Sequence, residues 1–555
     1  MRIDRRRALT LLGVGAATPA AAQAPARYAG AVRFDHGVGS GDPLADRVIL
    51  WTRITPADAK AGEIAYQWRL NPVDRRAGGA KSGQGVTGPD RDWTVKVDAS
   101  GLDAGRAYTF EFEANGVTSP IGRTVTLPKG PTKEAVLAVA SCSLYPNGYF
   151  NAYGAIAKLP RVDAILHLGD YIYEYGGPGA YGMNSPVAGE RPHDPPHEIV
   201  SLADYRRRHA QYKSDPQLQA AHARAPWIVV WDDHETANDG YMHGAQNHQV
   251  ETEGDWNARK ARAIKAYYEW MPIREPADGG PAINRAFQFG DLMSLFMLET
   301  RLTARDQQLD YKRDLPDLAD DAKVAAFRAK LADPSRKMMG PAQEAWLAKG
   351  LADSVKSGVA WQVVGNEVVM ASTGAASVGA VYGEAREQEI LAADPGVRPR
   401  LAQMDALAAR KLPYALDMWD GYPADRERVY QAIKASGAHA IVLAGDSHAF
   451  WANELHDAGK RRVAVEFGTT GITSPGAGDA IKSFSIGDLY ARSSPDVVFS
   501  DHDAKGFLLL TLTHEDAKAE LMAVSTIHAQ VYETNRLKTF RLKPESSGVS
   551  ALIEV

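Results

Sequence analysis

Four short apolar runs in this chain each end in side chains that can hold a metal ion, and no other feature restricts its fold as strongly. Residues 165–168 run into Gly169-Asp170-Tyr171-Ile172-Tyr173-Glu174, and residues 135–140 into Ser141-Cys142. Residues 227–231 run into Asp232-Asp233-His234-Glu235, and residues 440–444 into Gly445-Asp446-Ser447-His448. A short apolar run bounded by turn residues predicts a buried strand. In open α/β sheets, ligands bind at the carboxyl ends of strands. One Gly-Asp pair at a strand end reads as a turn with a capping carboxylate. Four strand ends that deliver Cys, Asp, Tyr and His are hard to explain as caps.

At 555 residues the chain is too long for a single core, so two or more domains are expected. Charged residues make up 24% and hydrophobic ones 45%, as in an ordinary soluble protein, and the net charge of −5 gives no support for a nucleic-acid binder. Arg5-Arg6-Arg7 precede an apolar stretch that closes on Ala22-Gln23-Ala24, so residues 1–24 read as a signal peptide. The pattern resembles a twin-arginine signal, with Ala8 where Phe is usual; an ordinary Sec signal is the alternative. The twin-arginine export machinery passes folded proteins, which places the mature chain in the periplasm or outside the cell. No other run reaches the ~18 apolar residues of a membrane span. Cys142 is the sole cysteine, so no intrachain disulfide forms. A lone cysteine is by base rate a small buried hydrophobe; its place at a strand end points instead to chemistry.

Residues 25–131 read as all-β, with alternating strands at 47–53, 64–70 and 107–113, a size that suits a β-sandwich. Leu102 with Tyr108 resembles the tyrosine corner of fibronectin type III-like sandwiches, and residues 127–132 read as a linker. From residue 132 to 555 strands alternate with helices, the latter expected at 202–225, 255–271, 340–355 and 424–436, with further buried strands at 288–298 and 359–364. This predicts an α/β domain with a large sheet. The Gly/Pro/His-rich segment 176–198 is expected as a functional loop at the rim of the site, and 526–544 as a candidate cover of the cleft.

Cys142, Asp170, Tyr173 and His448 would form one mixed S/O/N site, in which phenolate and thiolate favour Fe3+. Asp170, Asp233 and Asp446 would form an all-oxygen site suited to Ca2+ or Mg2+, with Asp170 as the bridge. His234 points into the cleft to stabilise charge or protonate a leaving oxygen; the alternative is a core histidine bonded to a carbonyl. Arg301 grips phosphate oxygens through its fork, or else makes a surface ion pair. Tyr173 taken alone equally reads as a core aromatic. Asp232 and Asn238 in the third motif, and Asn366, are further metal or substrate candidates, with a turn cap as the alternative for Asn366.

These motifs, in order, together with His36-Gly37-Val38-Gly39-Ser40-Gly41-Asp42-Pro43 and Leu50-Trp51-Thr52-Arg53, resemble PhoD-type alkaline phosphatases over nearly the whole mature chain. The resemblance implies an α/β metallophosphatase sandwich, large mixed sheets flanked by helices, behind an N-terminal immunoglobulin/fibronectin-like β-sandwich. It implies hydrolysis of phosphomonoesters and phosphodiesters at an Fe3+ and Ca2+ (one or two) centre, where metal-activated hydroxide attacks phosphorus. On that pattern Cys142, Asp170, Tyr173 and His448 match iron ligands, and Asp170, Asp233 and Asp446 calcium ligands. Many metallophosphatases carry Asn before the third-motif His, and His in place of Asp446; Asp at both positions favours a harder cation. Phospholipase D-like members share these motifs and are the nearest rival, and a non-catalytic surface protein that binds a partner is the rival of another class. Small phosphate esters are the expected substrates.

Overall fold

The computed structural model describes residues 27–555 apart from 75–78, 178 and 277–279. The expected signal peptide, residues 1–24, lies outside the described residues. Strands Glu134–Ala140, Ala164–Leu168 and Trp227–Val230 are almost wholly apolar and buried on both faces, the composition of parallel strands covered on each side. They pair in parallel at the centre of a ten-stranded sheet. On one side the antiparallel strands Lys505–Thr513, Ala517–Val524, Thr534–Leu542 and Ile553–Glu554 extend it. A seven-stranded sheet has Met293–Met297, Trp361–Gly365, Ala440–Ala444 and Arg462–Gly468 as its parallel centre. One apolar core holds side chains of both sheets, Leu137, Val139 and Ile165 with Val363, Ile441 and Val465 among them. Helices pack on the other face of the second sheet around Phe296, Leu351, Val364 and Val442. The two sheets meet at their carboxyl ends, where Ser141 bridges Gly471 and Thr469 Oγ1 donates to the Val139 carbonyl at 3.0 Å.

The N-terminal strands form two layers, one of them continuous with the large sheet. Arg47–Arg53 and Thr94–Ser100 face Ile64–Pro72 and Ala107–Ala114 across a core that includes Leu50, Val95, Phe110 and Phe112. Val38–Gly41 pairs with Arg47–Arg53 and, through Gly41, in parallel with Trp227, so the ten-stranded sheet crosses position 131. Gly41 is required there, because a Cβ would lie 2.0 Å from the Pro272 carbonyl oxygen. Asp42 Oδ1 then pairs with Arg285 at 2.7 Å, and Trp51 Nε1 donates to the Glu269 carbonyl at 2.9 Å. Tyr108 Oη accepts from the Asp103 amide at 2.9 Å.

Four local expectations are corrected. The segment read as a linker is packed: Leu127 is buried, and the Thr132 amide donates to Asp291 Oδ1 at 2.8 Å. Residues 202–225 form two helices, Leu202–Lys213 and Pro216–Arg224, because Asp215 caps the second and Pro216 opens it. Residues 288–298 are not one strand but parts of a hairpin, Arg285–Phe289 and Met293–Met297, turning at Gly290 with φ 57°. Nearly half of the segment expected as a cover is the sheet strand Thr534–Leu542, and only Ile527 and His528 from it reach the cleft beside His448.

Candidate metal centre

Cys142, Asp170, Asp446 and His448 all hold the left-handed backbone, with φ of 61°, 56°, 59° and 57°. Each such residue costs about 1–3 kcal/mol and persists only where its surroundings impose it. Gly169 shows the imposition. It has φ 98°, and a Cβ there would lie 2.3 Å from Asp232 Cβ, so the second and third motifs touch through a glycine. Glu235 pins the same junction: its carboxylate accepts from the amides of Asp170 (3.0 Å), Asp232 (2.7 Å) and Tyr171.

These turns bring three sets of ligand atoms within 4.8 Å of one another: Cys142, Asp170 and His448; Asp170, Asp233 and His234; and Asp170, Asp232, Asp233 and Asp446. Asp170 belongs to all three. Tyr173 Oη donates to Asp170 Oδ2 at 2.9 Å, lies 3.3 Å from His448 Nε2 and accepts from Ser474 Oγ at 2.7 Å. His448 Nδ1 is 2.9 Å from the Pro475 carbonyl and 3.0 Å from Tyr181 Oη, which leaves Nε2 toward the centre. Burial, helped by Lys505, lowers the His448 pKa to about 3, the neutral form a ligand needs.

The negative charge is in excess. Burial and neighbouring carboxylates push Asp170 and Asp446 well above the usual range. Burial raises Asp232 to about 6 against the pull of Arg301, whereas Arg301 and His234 overcome burial at Asp233 and bring it to about 2. Asp170 Oδ1 and Asp232 Oδ2 are buried with no hydrogen-bond partner. Buried carboxylate oxygens without donors, crowded together, fit a bound cation. Cys142 Sγ, fully buried, donates to Ser141 Oγ at 3.2 Å, and burial and Asp170 hold its thiol well above its ordinary pKa. Ionisation there requires a cation that replaces the proton.

His234 Nδ1 lies 2.7 Å from Glu174 Oε2. Burial opposes the imidazolium, but Asp233, Glu174 and Asp170 outweigh it and hold the pKa well above the ordinary value. Arg301 is fully buried, paired with Asp232, with Asp417 at 2.7 Å and with Asp446 at 3.2 Å. Asn238 accepts from Tyr175 Oη at 3.0 Å and donates to Gln246 at 3.0 Å. Asn366 is spent within the fold, accepting from Trp419 Nε1 at 3.0 Å and donating to the Val368 carbonyl. Sequence reasoning missed Asp417, Tyr181 and Ser474, which no motif marks. Glu174 and Glu235 stood inside motifs, and an acid beside a ligand-bearing turn was signal enough to ask what it holds. A cleft of about 710 Å3 opens beside His448, lined by Tyr181, Arg400 and His528 among others.

The chain as a whole is similar to known proteins. The profile of the PhoD-like phosphatase family matches residues 137–521, and that of the PhoD-like phosphatase N-terminal domain matches residues 19–128. The chain belongs to the PhoD-like phosphatase family. Alkaline phosphatase D of Bacillus subtilis (strain 168) is 34% identical over 506 residues, covering 88% of this chain and 77% of that protein. A solved structure of PhoD superposes with a TM-score of 0.77 at 31% identity, covering 94% of this chain and 92% of that one. The protein is a PhoD-type phosphatase, with mixed sheets and helices behind an N-terminal domain of strands. No helix among its described residues is long and apolar enough to cross a membrane.

Proposed function

We propose that this PhoD-like phosphatase is an exported, metal-dependent hydrolase of phosphomonoesters and phosphodiesters. The observation that carries the reading is the convergence of three ligand sets on Asp170, two of whose members keep buried oxygens without donors. Cys142, Asp170, Tyr173 and His448 would hold Fe3+, and Asp170, Asp233 and Asp446, with Asp232 beside them, would hold Ca2+. Such a pair, when bound, supplies activated water and neutralises phosphate charge. The chain's own groups do the rest. His234, oriented through Nδ1 by Glu174, would pass a proton from Nε2 to the leaving oxygen. Arg301 acts as a positioning residue, aligning Asp232 and Asp446 rather than gripping phosphate.

Purified protein on p-nitrophenyl phosphate and bis-p-nitrophenyl phosphate tests the reading. A calcium-selective chelator should abolish turnover and added Ca2+ should restore it; full activity in chelator would overturn metal dependence. Export rests on Arg5-Arg6-Arg7 and Ala22-Gln23-Ala24. Replacing the three arginines with Lys should leave precursor in the cytoplasm. Normal export of that variant would favour the Sec route.

A further inference from the structure

A strand of the second sheet also ends in a charged side chain at the centre. Met293–Met297 runs into Leu298, whose amide donates to the Gly365 carbonyl at 2.8 Å, and then into Glu299-Thr300-Arg301. Arg301 is the residue that reaches Asp232, Asp417 and Asp446. The turn that carries it is irregular. Three successive amides, those of Arg301, Leu302 and Thr303, donate to the Glu299 carboxylate at 3.0, 2.5 and 3.0 Å. The Thr303 hydroxyl donates to the same carboxylate.

Glu299 is itself buried and held from outside the turn. Its amide donates to Gln343 Oε1 and its carbonyl accepts from Gln343 Nε2, both at 2.8 Å. Its Oε1 also accepts from the indole of Trp231 at 3.0 Å, and Trp231 is the residue before Asp232. One carboxylate thus joins the turn that carries Arg301 to the strand end that carries Asp232, and these two residues pair directly. Glu235 joins the second and third motifs by the same device. An ionised carboxylate only accepts, so it suits amides, a hydroxyl and an indole at once. Glutamine in its place would turn donors toward donors. The precision has a use, because the planar fork of Arg301 meets four acids: Asp232, Asp417, Asp446 and, at 3.9 Å, Asp233. Its direction decides which of them it holds.

We infer that Glu299 is a positioning residue of the phosphatase: it sets the direction of the Arg301 guanidinium and, through it, the placing of Asp232 and Asp446. The inference rests on the role proposed for Arg301 at the metal centre.

The test is a double-mutant cycle on Glu299→Gln and Arg301→Lys, with turnover of p-nitrophenyl phosphate and bound metal both read per folded molecule. Lysine keeps the charge of Arg301 but not its fork. Each single substitution should lower kcat at least ~10-fold, as misplaced groups do, and change KM less, because neither residue grips phosphate. If Glu299 acts through Arg301, adding Glu299→Gln to Arg301→Lys should lower kcat by less than ~3-fold further. Effects that multiply in full overturn the inference, as does parental kcat in folded Glu299→Gln. Metal retained after mild chelation is a readout apart from turnover. It should fall in each single variant and no further in the double; losses that add independently refute the inference. Should Glu299→Gln fail to fold, Thr303→Val takes its place, since it removes one donor to Glu299 at nearly constant shape. A small fall in kcat that vanishes in the Arg301→Lys background supports the inference, and no fall, or an equal fall in both backgrounds, overturns it. A parent fully active in chelator would sink the metal reading and leave the kcat cycle to decide on Glu299.

Discussion

Two buried clusters of titratable side chains adjoin at Asp170 and Tyr171, and they have opposite fates. One is the acidic centre around Asp170. The other is basic: His36, His167, His209, His222 and Lys213, packed among Trp51, Trp227, Trp270 and Tyr171. Its rings stack closely, His222 on Trp227 at 3.9 Å, and both nitrogens of His209 lack hydrogen-bond partners. Burial drives His167 and His209 to a pKa of about 3 and Lys213 well below its ordinary value. Neutral imidazole and amine rest among aromatic faces, and none of these residues lines the cleft beside His448. The acids of the centre cannot relax in that way: Arg301 and His234 keep part of the charge in place, oxygens remain orphaned, and the backbone is held left-handed. Burial of ionisable groups alone therefore does not mark a site. What marks it is charge that burial leaves unresolved, next to an opening.

Substituting Asp170, the shared member, should separate the two clusters most sharply. Asparagine tolerates the left-handed backbone, so Asp170→Asn should fold yet lose bound metal, and activity should fall by more than ~10²-fold, the scale on which even supporting partners of metal sites act. Wild-type metal content and turnover in that variant would break the contrast.

Cys142→Ser asks whether a buried thiol belongs to the first cluster or only to the core. The expected result is loss of iron, loss or shift of a visible charge-transfer band and a fall in kcat of about 10²-fold. If Cys142 is only core, the variant should cost about 1–3 kcal/mol of stability, with iron per folded molecule and kcat unchanged.

The smallest effect is expected in the basic cluster. Lys213→Met keeps the length and removes the amine, while Tyr171 Oη and His222 Nε2 retain their own contact at 2.9 Å. Above the unfolded pKa of 10.5 stability should change by about 1 kcal/mol or less, and kcat of the folded fraction should not change. The pH dependence is the sharper readout. The folded pKa of Lys213 lies below the unfolded value of 10.5, so between them the unfolded chain binds the extra proton and parent stability rises with pH. Denaturant unfolding of Lys213→Met across alkaline pH should lose that rise; the same slope in both proteins would show that the amine is charged in the fold.

The strand ends were legible because an apolar run that stops at Asp, Cys or His is a local pattern, and Asp170, Cys142, Asp446 and His448 converge as that pattern requires. Interactions between distant segments were not. Arg301 carries no sign of Asp417, over a hundred residues away, and Tyr181 stands in a Gly/Pro-rich loop with nothing to tie it to His448. The sharing of the large sheet by N-terminal strands hangs on the single pairing of Gly41 with Trp227, which no periodicity announces. At Gly290-Asp291 the turn signal was present, and the apolar residues on either side masked it.

The strand Glu134–Ala140, whose end carries Cys142, has one neighbour close by in Ala164–Leu168 and the other, Lys505–Thr513, near the far end of the chain. A growing chain on the ribosome thus holds Cys142, Asp170 and Asp233 for more than two hundred residues before Asp446 and His448 exist, and its central strand stays half-paired until after they do. Pairings of such long sequence separation form late and slowly. The order of synthesis makes the centre close late, so a translation product cut short before residue 440 would carry an exposed sheet edge and lack Asp446 and His448.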